Sequence, residues 1–159
     1  MKNTHKTLLV LTLAHAAASA HTIPCPAPRE VPEGEGIEAS HPVCGALGVF
    51  DQHGKKGFFD PHSGAVVVPA QFDAVFRDYV ADTLTPVMKD GRWAYVDTQG
   101  KTVQPFEYEA AEAFTHNWIG SRERECVEAQ KNGKRVAIDP QGKTLPENTR
   151  CELLPPPNI

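Results

Sequence analysis

The sequence predicts an all-β protein in which tandem β-hairpin or three-stranded units stack into one small domain. Three observations carry this. A seven-residue phrase is written three times, as Gly54-Lys55-Lys56-Gly57-Phe58-Phe59-Asp60, Gly91-Arg92-Trp93-Ala94-Tyr95-Val96-Asp97 and Gly133-Lys134-Arg135-Val136-Ala137-Ile138-Asp139. Its copies begin 37 and then 42 residues apart, a period that marks repetition of one supersecondary unit. Around each copy, short apolar and β-branched runs alternate with Gly-containing turns, the pattern of hairpins.

The chain opens with an export signal. Lys2 and Lys6 precede the apolar run Leu8-Leu9-Val10-Leu11-Thr12-Leu13-Ala14, and Ala18-Ser19-Ala20 supplies small residues for cleavage. The run is too short to span a bilayer as a stable helix, so residues 1–20 read as a secretory signal peptide. Its removal takes the net charge from −4 to −6 by deleting Lys2 and Lys6. That balance does not point to nucleic acid or to an anionic membrane surface. The expected location is the periplasm or the outside of the cell, with no membrane insertion after cleavage.

Residues 21–45 read as an arm or linker. Pro24, Pro26, Pro28, Pro32 and Pro42 alternate there with Glu30, Glu33, Glu35 and Glu38. Prolines withhold backbone donors, and few apolar side chains are present to offset the entropy of ordering. The β-repeat domain then runs over residues 46–153 in three units, the last truncated, before a Pro-rich tail at 154–159. In the first unit Leu47 to Phe50, Gly57 to Asp60 and Ala65 to Val68 read as strands, the last ended by Pro69. In the second, Pro86 to Lys89, Trp93 to Asp97 and Thr102 to Gln104 repeat the scheme, ended by Pro105. In the third, Glu125 to Ala129 and Val136 to Asp139 lead to Thr144-Leu145-Pro146. Asp90-Gly91 and Asn132-Gly133 suit primed hairpin turns, in which both central residues have positive φ. The connectors echo each other as well: Phe72-Asp73-Ala74 and Tyr108-Glu109-Ala110 each read aromatic, acid, alanine. Glu109 to Phe114 suits a helical turn.

At these residues the sequence resembles the WG-repeat family. That family's units run approximately Gly-Lys-Trp-Gly-Phe-Ile-Asp, then Gly-Lys, an apolar strand, Pro, and aromatic-Asp-Asp-Ala. Gly91 to Lys101 is the nearest copy. Gly54 to Asp60 has Lys56 where Trp would stand, and Gly133 to Asp139 has Arg135-Val136 for Trp-Gly, so the name-giving pair is never intact. The resemblance covers about residues 46–146. It implies a β-rich repeat fold with a binding or scaffolding role and no common catalytic residues.

Cys25, Cys44, Cys126 and Cys151 are even in number and all follow the signal peptide, which implies disulfides in an exported chain. Sequential pairing, Cys25–Cys44 and Cys126–Cys151, closes the shorter loops; the alternative pairings tie the arm to the tail. No C-x-x-C spacing supports zinc. Asp60, Asp97 and Asp139 recur at one place and read as caps on the turns that follow, with a row of ligand carboxylates as the competing reading. The aromatics Phe58, Phe59, Phe72, Phe76, Trp93, Tyr95, Tyr108 and Phe114 read as shared core. Trp118 stands outside the repeated phrase and, with Arg77, Arg122 and Arg124 in the unequal connectors, is a candidate contact for a protein partner in the cell envelope. Glu107, Glu109 and Glu112 could be imagined as an acid–base pair, but nothing in their spacing sets a defined separation. No nucleophile elbow or phosphate loop is present, so no catalytic residue, cofactor or resident metal is assigned. The expected function is a non-catalytic interaction or scaffolding module, one version being an envelope inhibitor or immunity-type protein. The competing function is a small metal-binding protein or enzyme that uses His21, the new amino terminus.

Overall fold

The structure, a computed structural model, describes residues 27–28, 30–39, 43, 45–77, 79–81, 83–114 and 125–152. All its regular elements are strands: β1 (Ile37–Ala39), β2 (Leu47–Gln52), β3 (Lys55–Phe59), β4 (Val66–Phe72), β5 (Ala74–Val75), β6 (Tyr79–Val80), β7 (Thr85–Lys89), β8 (Arg92–Val96), β9 (Thr102–Tyr108), β10 (Ala110–Ala111), β11 (Val127–Lys131) and β12 (Lys134–Ile138). They form three antiparallel sheets in the orders β1-β2-β3-β4, with β6 added to β2, then β5-β7-β8-β9, then β10-β11-β12.

Each sheet is built on a tight hairpin, β2-β3, β7-β8 or β11-β12. Their two-residue turns have positive φ at both positions: His53 54° and Gly54 76°, Asp90 52° and Gly91 73°, Asn132 53° and Gly133 72°. These are the primed turns whose twist matches that of the flanking strands. The registers superpose residue for residue, with Asp51↔Lys56, Met88↔Trp93 and Gln130↔Arg135 each one pair in from the turn. A further short strand precedes each hairpin and pairs with its first strand: β1 with β2, β5 with β7 and β10 with β11. Thus β1, inside the segment read as an arm, takes the place that a preceding connector would occupy. The segment read as a helical turn contains β10, because Ala110 and Ala111 find a ladder on Gln130 and Ala129.

The prolines do not end the third strands. β4 continues through Pro69 to Phe72, and β9 through Pro105 to Tyr108. Both lie at the outer end of their sheet, and both are irregular in register against β3 and β8. An edge strand with a bulge tolerates a residue that has no N–H to donate.

The apolar core lies between units. Phe58, Leu47, Val49 and Phe72 of the first unit, with Val80 of β6 beside them, close on Val87, Ala94 and Val96 of the second. Tyr95, Leu84 and Tyr108 close on Val127, Ala129 and Ile138 of the third. Phe50 and Phe59 close backwards on Val43, with Val31, Ile37 and Ala39 packed against them. Adjacent residues of one strand therefore serve opposite joints: Phe58 faces forward and Phe59 back, Tyr95 forward and Val96 back. Gly100 permits this approach. It has a φ of 76°, and a Cβ there would sit 2.7 Å from Val68 and 3.1 Å from Phe58. Seven of the eight recurring aromatics are buried or half-buried, as the shared-core reading requires. Phe76 is not; it is 45% exposed, because the chain leaves the sheet after β5.

The last unit is short. Ile138 pairs with Thr144 in a lone bridge, and the Leu145 N–H donates to the Ala137 carbonyl at 2.8 Å. The chain then turns, with the Thr149 N–H on the Pro146 carbonyl at 2.9 Å, and Cys151 is bonded to Cys126. The other expected pair, Cys25 and Cys44, lies outside the described residues, as do residues 1–20, read as a signal peptide, and the Pro-rich tail.

Candidate functional site

The polar chemistry of the fold concentrates at the joints and the turns. The acid that follows each third strand is a clamp. Asp73 Oδ1 accepts from Lys55 Nζ of its own unit, and Oδ2 accepts the Asp90 N–H of the next hairpin turn at 2.7 Å. Its own N–H reaches the Met88 carbonyl at 2.8 Å. Glu109 repeats the arrangement one unit later. Its Oε1 accepts from Arg92 Nη1 and the Asn132 N–H, both at 2.9 Å, and its Oε2 accepts the Gly133 N–H at 3.1 Å. The Glu109 N–H reaches the Gln130 carbonyl at 2.8 Å. Ionised acceptors make the stronger hydrogen bonds. Accordingly the Lys55 ammonium holds the Asp73 carboxyl below its usual value, and the Gly133 amide, then Arg92, does the same for Glu109.

A second contact reinforces each joint. Two residues before the clamp, Gln71 Oε1 accepts from Lys89 Nζ at 3.4 Å, and Glu107 pairs with Lys131 at 2.6 Å. Tyr108 Oη donates to Gln104 Oε1 at 2.7 Å, and Gln104 Nε2 donates to the Gly142 carbonyl at 2.5 Å, which ties the second unit to the third. Burial pushes the Tyr108 phenol up to about 12. Tyr95 Oη donates to the Glu112 carbonyl at 2.9 Å, and burial raises its phenol further.

The repeated aspartates close turns. Asp60 Oδ1 accepts the His62 N–H at 2.7 Å. Asp97 Oδ1 accepts the Gln99 and Lys101 amides, both at 2.9 Å. Asp139 Oδ1 accepts those of Gln141 and Lys143 at 3.0 and 2.8 Å. Carboxylates committed to backbone amides in this way are local caps, and they do not converge on one another. Glu107 and Glu109 are committed to joints, so no acid–base pair is assembled from them. Among the described residues, no group of three or more His, Cys, Asp or Glu is placed to hold a metal ion.

Of the residues expected to contact a partner, Arg77 is half-buried just after β5. Trp118, Arg122 and Arg124 lie outside the described residues, as does His21. The clamp itself was visible in the sequence only as an echo, aromatic-acid-alanine. Its role depends on turns 17 to 24 residues away.

A family model described as WG containing repeat matches the chain twice, over residues 57–93 and 93–120. Residues 57–120 are WG-containing repeats. Both matched segments begin inside a hairpin, at Gly57 in β3 and at Trp93 in β8. The position of the name-giving tryptophan therefore lies beside a turn, where Lys56 pairs with Asp51 at 2.9 Å, Trp93 packs against the second joint, and Arg135 pairs with Glu128 at 3.0 Å. The third hairpin falls beyond both matches yet keeps their turn and register. No curated protein sequence and no solved structure is detectably similar to the chain.

Proposed function

We propose that this β-repeat protein is an exported, non-catalytic interaction or scaffolding module, an envelope inhibitor or immunity-type protein being one form of it. The observation that carries the proposal is the commitment of the recurring polar side chains. The repeated acids are consumed in closing turns and joining units, so the repeated phrase supports a stack, and what remains to differ is its surface. Stacked repeats characteristically offer such surfaces to partners. Export is supported by the order of polarity in residues 1–20, and an oxidising compartment is in keeping with the Cys126–Cys151 bond.

The test is direct. The mature protein is used as bait in an envelope extract, and each captured candidate is purified and titrated against it. A partner that binds the purified chain saturably supports the proposal. Capture that never reproduces with purified components overturns it.

A further inference from the structure

The three units can be compared position by position, and the last differs in one respect. In the first unit, β3 is covered along its outer side by β4, so that Lys56 pairs with Phe72. In the second, β8 is covered by β9, so that Trp93 pairs with Tyr108. Arg135 is the corresponding residue of β12, and among the described residues no strand lies opposite it. Covering ends at the Ile138↔Thr144 bridge. The turn at Pro146–Thr149 and the bond from Cys151 to Cys126 carry the chain to the end of the sheet remote from the hairpin turn. Ile138 lies four residue steps from Lys134, about 13 Å of strand.

Three properties of the uncovered edge specify what fits it. Lys131 and Lys134 flank a two-residue turn and exchange hydrogen bonds, so by ladder alternation the N–H and C=O of Arg135 point away from β11. A groove of about 380 Å³ runs there, lined by Lys134, Arg135, Val136, Thr144 and Leu145 among others. Val136 and Leu145 are only half-buried within it. Lastly, Lys134 occupies the place of Lys55 and Arg92, each of which pairs with the acid after its unit's third strand. Lys134 has no acidic partner among the described residues, and Glu147, the one acid lining the groove, makes no ion pair with it.

We infer that the open edge of β12 docks an extended segment of a partner protein, one carrying an aromatic residue followed by an acid, which adds to the last sheet as its missing third strand. The inference rests on the interaction-module reading and names its site. The ligand chemistry is the one this chain uses twice on itself, in Phe72-Asp73 and Tyr108-Glu109. In the docked ladder the aromatic residue pairs with Arg135, whose guanidinium suits a ring face, and the acid meets Lys134. Strand addition draws affinity from main-chain hydrogen bonds and specificity from such alternate side chains.

The probe is a fluorescent peptide with the sequence of residues 102–110, titrated into the full mature chain with its disulfide intact. Saturable binding is expected. Lys134→Glu should weaken it roughly tenfold, while circular dichroism stays unchanged because Lys134 is exposed. Replacing the peptide's final glutamate by lysine should weaken binding to the natural chain and restore it to Lys134→Glu. N-methylation of the tyrosine amide, which removes a ladder donor, should abolish binding. Absence of binding overturns the inference, as does binding indifferent to Lys134→Glu and to N-methylation. Self-association abolished by Lys134→Glu assigns the edge to a second copy and overturns the partner-strand proposal. A purified envelope partner that binds Lys134→Glu as it binds the natural chain overturns the edge while leaving the interaction function standing.

Discussion

Replacing Gly100 by alanine should unfold the stack far more readily than the same change at Gly91, and the difference measures how closely two units approach. Both glycines have left-handed φ, 76° and 73°. Alanine in that conformation costs about 1–2 kcal/mol at either site. Their surroundings differ. A Cβ on Gly91 meets nothing within 4 Å, whereas on Gly100 it lies 2.7 Å from Val68 Cγ2 and 3.1 Å from Phe58 Cδ2. Val68 and Phe58 belong to the preceding unit, and Phe58 is fully buried. Neither can withdraw without disturbing the first joint, and overpacking of this kind adds about 1–3 kcal/mol. Gly100→Ala is therefore expected to lose about 2–5 kcal/mol in all, and Gly91→Ala about 1–2. Urea unfolding of the two variants, read as midpoint and slope, checks this. Equal losses would refute the argument that the second turn of each unit is packed against its predecessor.

The remaining expectations concern the clamps, the disulfide and a buried phenol. Asp73 and Glu109 have folded pKa values below their ordinary 3.8 and 4.5, so their contribution is complete above those values and is lost as pH falls below them. Melting temperatures measured from about pH 6 down to 2 should fall at the acid end, and Asp73→Asn with Glu109→Gln should flatten that fall; an unchanged acid limb contradicts the clamp. Replacing Cys126 and Cys151 by serine opens a loop of sequence separation 25 and should cost about 3.5 kcal/mol by chain-entropy reasoning, seen as a lower urea midpoint. Tyr95→Phe leaves the Glu112 carbonyl without its phenol donor and should cost about 0.5–1.5 kcal/mol in the same assay.

What the sequence discloses is whatever is encoded within a few residues. Asp90-Gly91 and Asn132-Gly133 announce their turns because few other pairs accept positive φ twice. Asp97 announces a cap because the amides that donate to it lie only two and four residues on. The echo of Phe72-Asp73 in Tyr108-Glu109 marks the joint, but not its purpose, since the receiving turns belong to the following unit. Pro69 and Pro105 misled for a related reason. Each ends a strand only if both neighbouring strands need its N–H, and β4 and β9 have one neighbour. β1 was hidden because Ile37 and Ala39 are ordered by Phe50 and Phe59, residues that lie beyond the prolines and acids around them. The open edge of β12 could not be read from one unit at all. It is visible only as a difference between units once their registers are aligned.

The interleaving of the joints also bears on how the chain acquires its structure as it is synthesised. The first apolar cluster holds Leu47 and Phe58, but it is not complete until Val96 has emerged, and the second waits in the same way for Ile138. At no stalled length short of those residues can a finished hairpin bury both of its faces. A nascent chain is thus left with one adhesive surface until its successor arrives. In the third hairpin the forward-facing place, Phe58 and then Tyr95 in the earlier units, is held by Ala137.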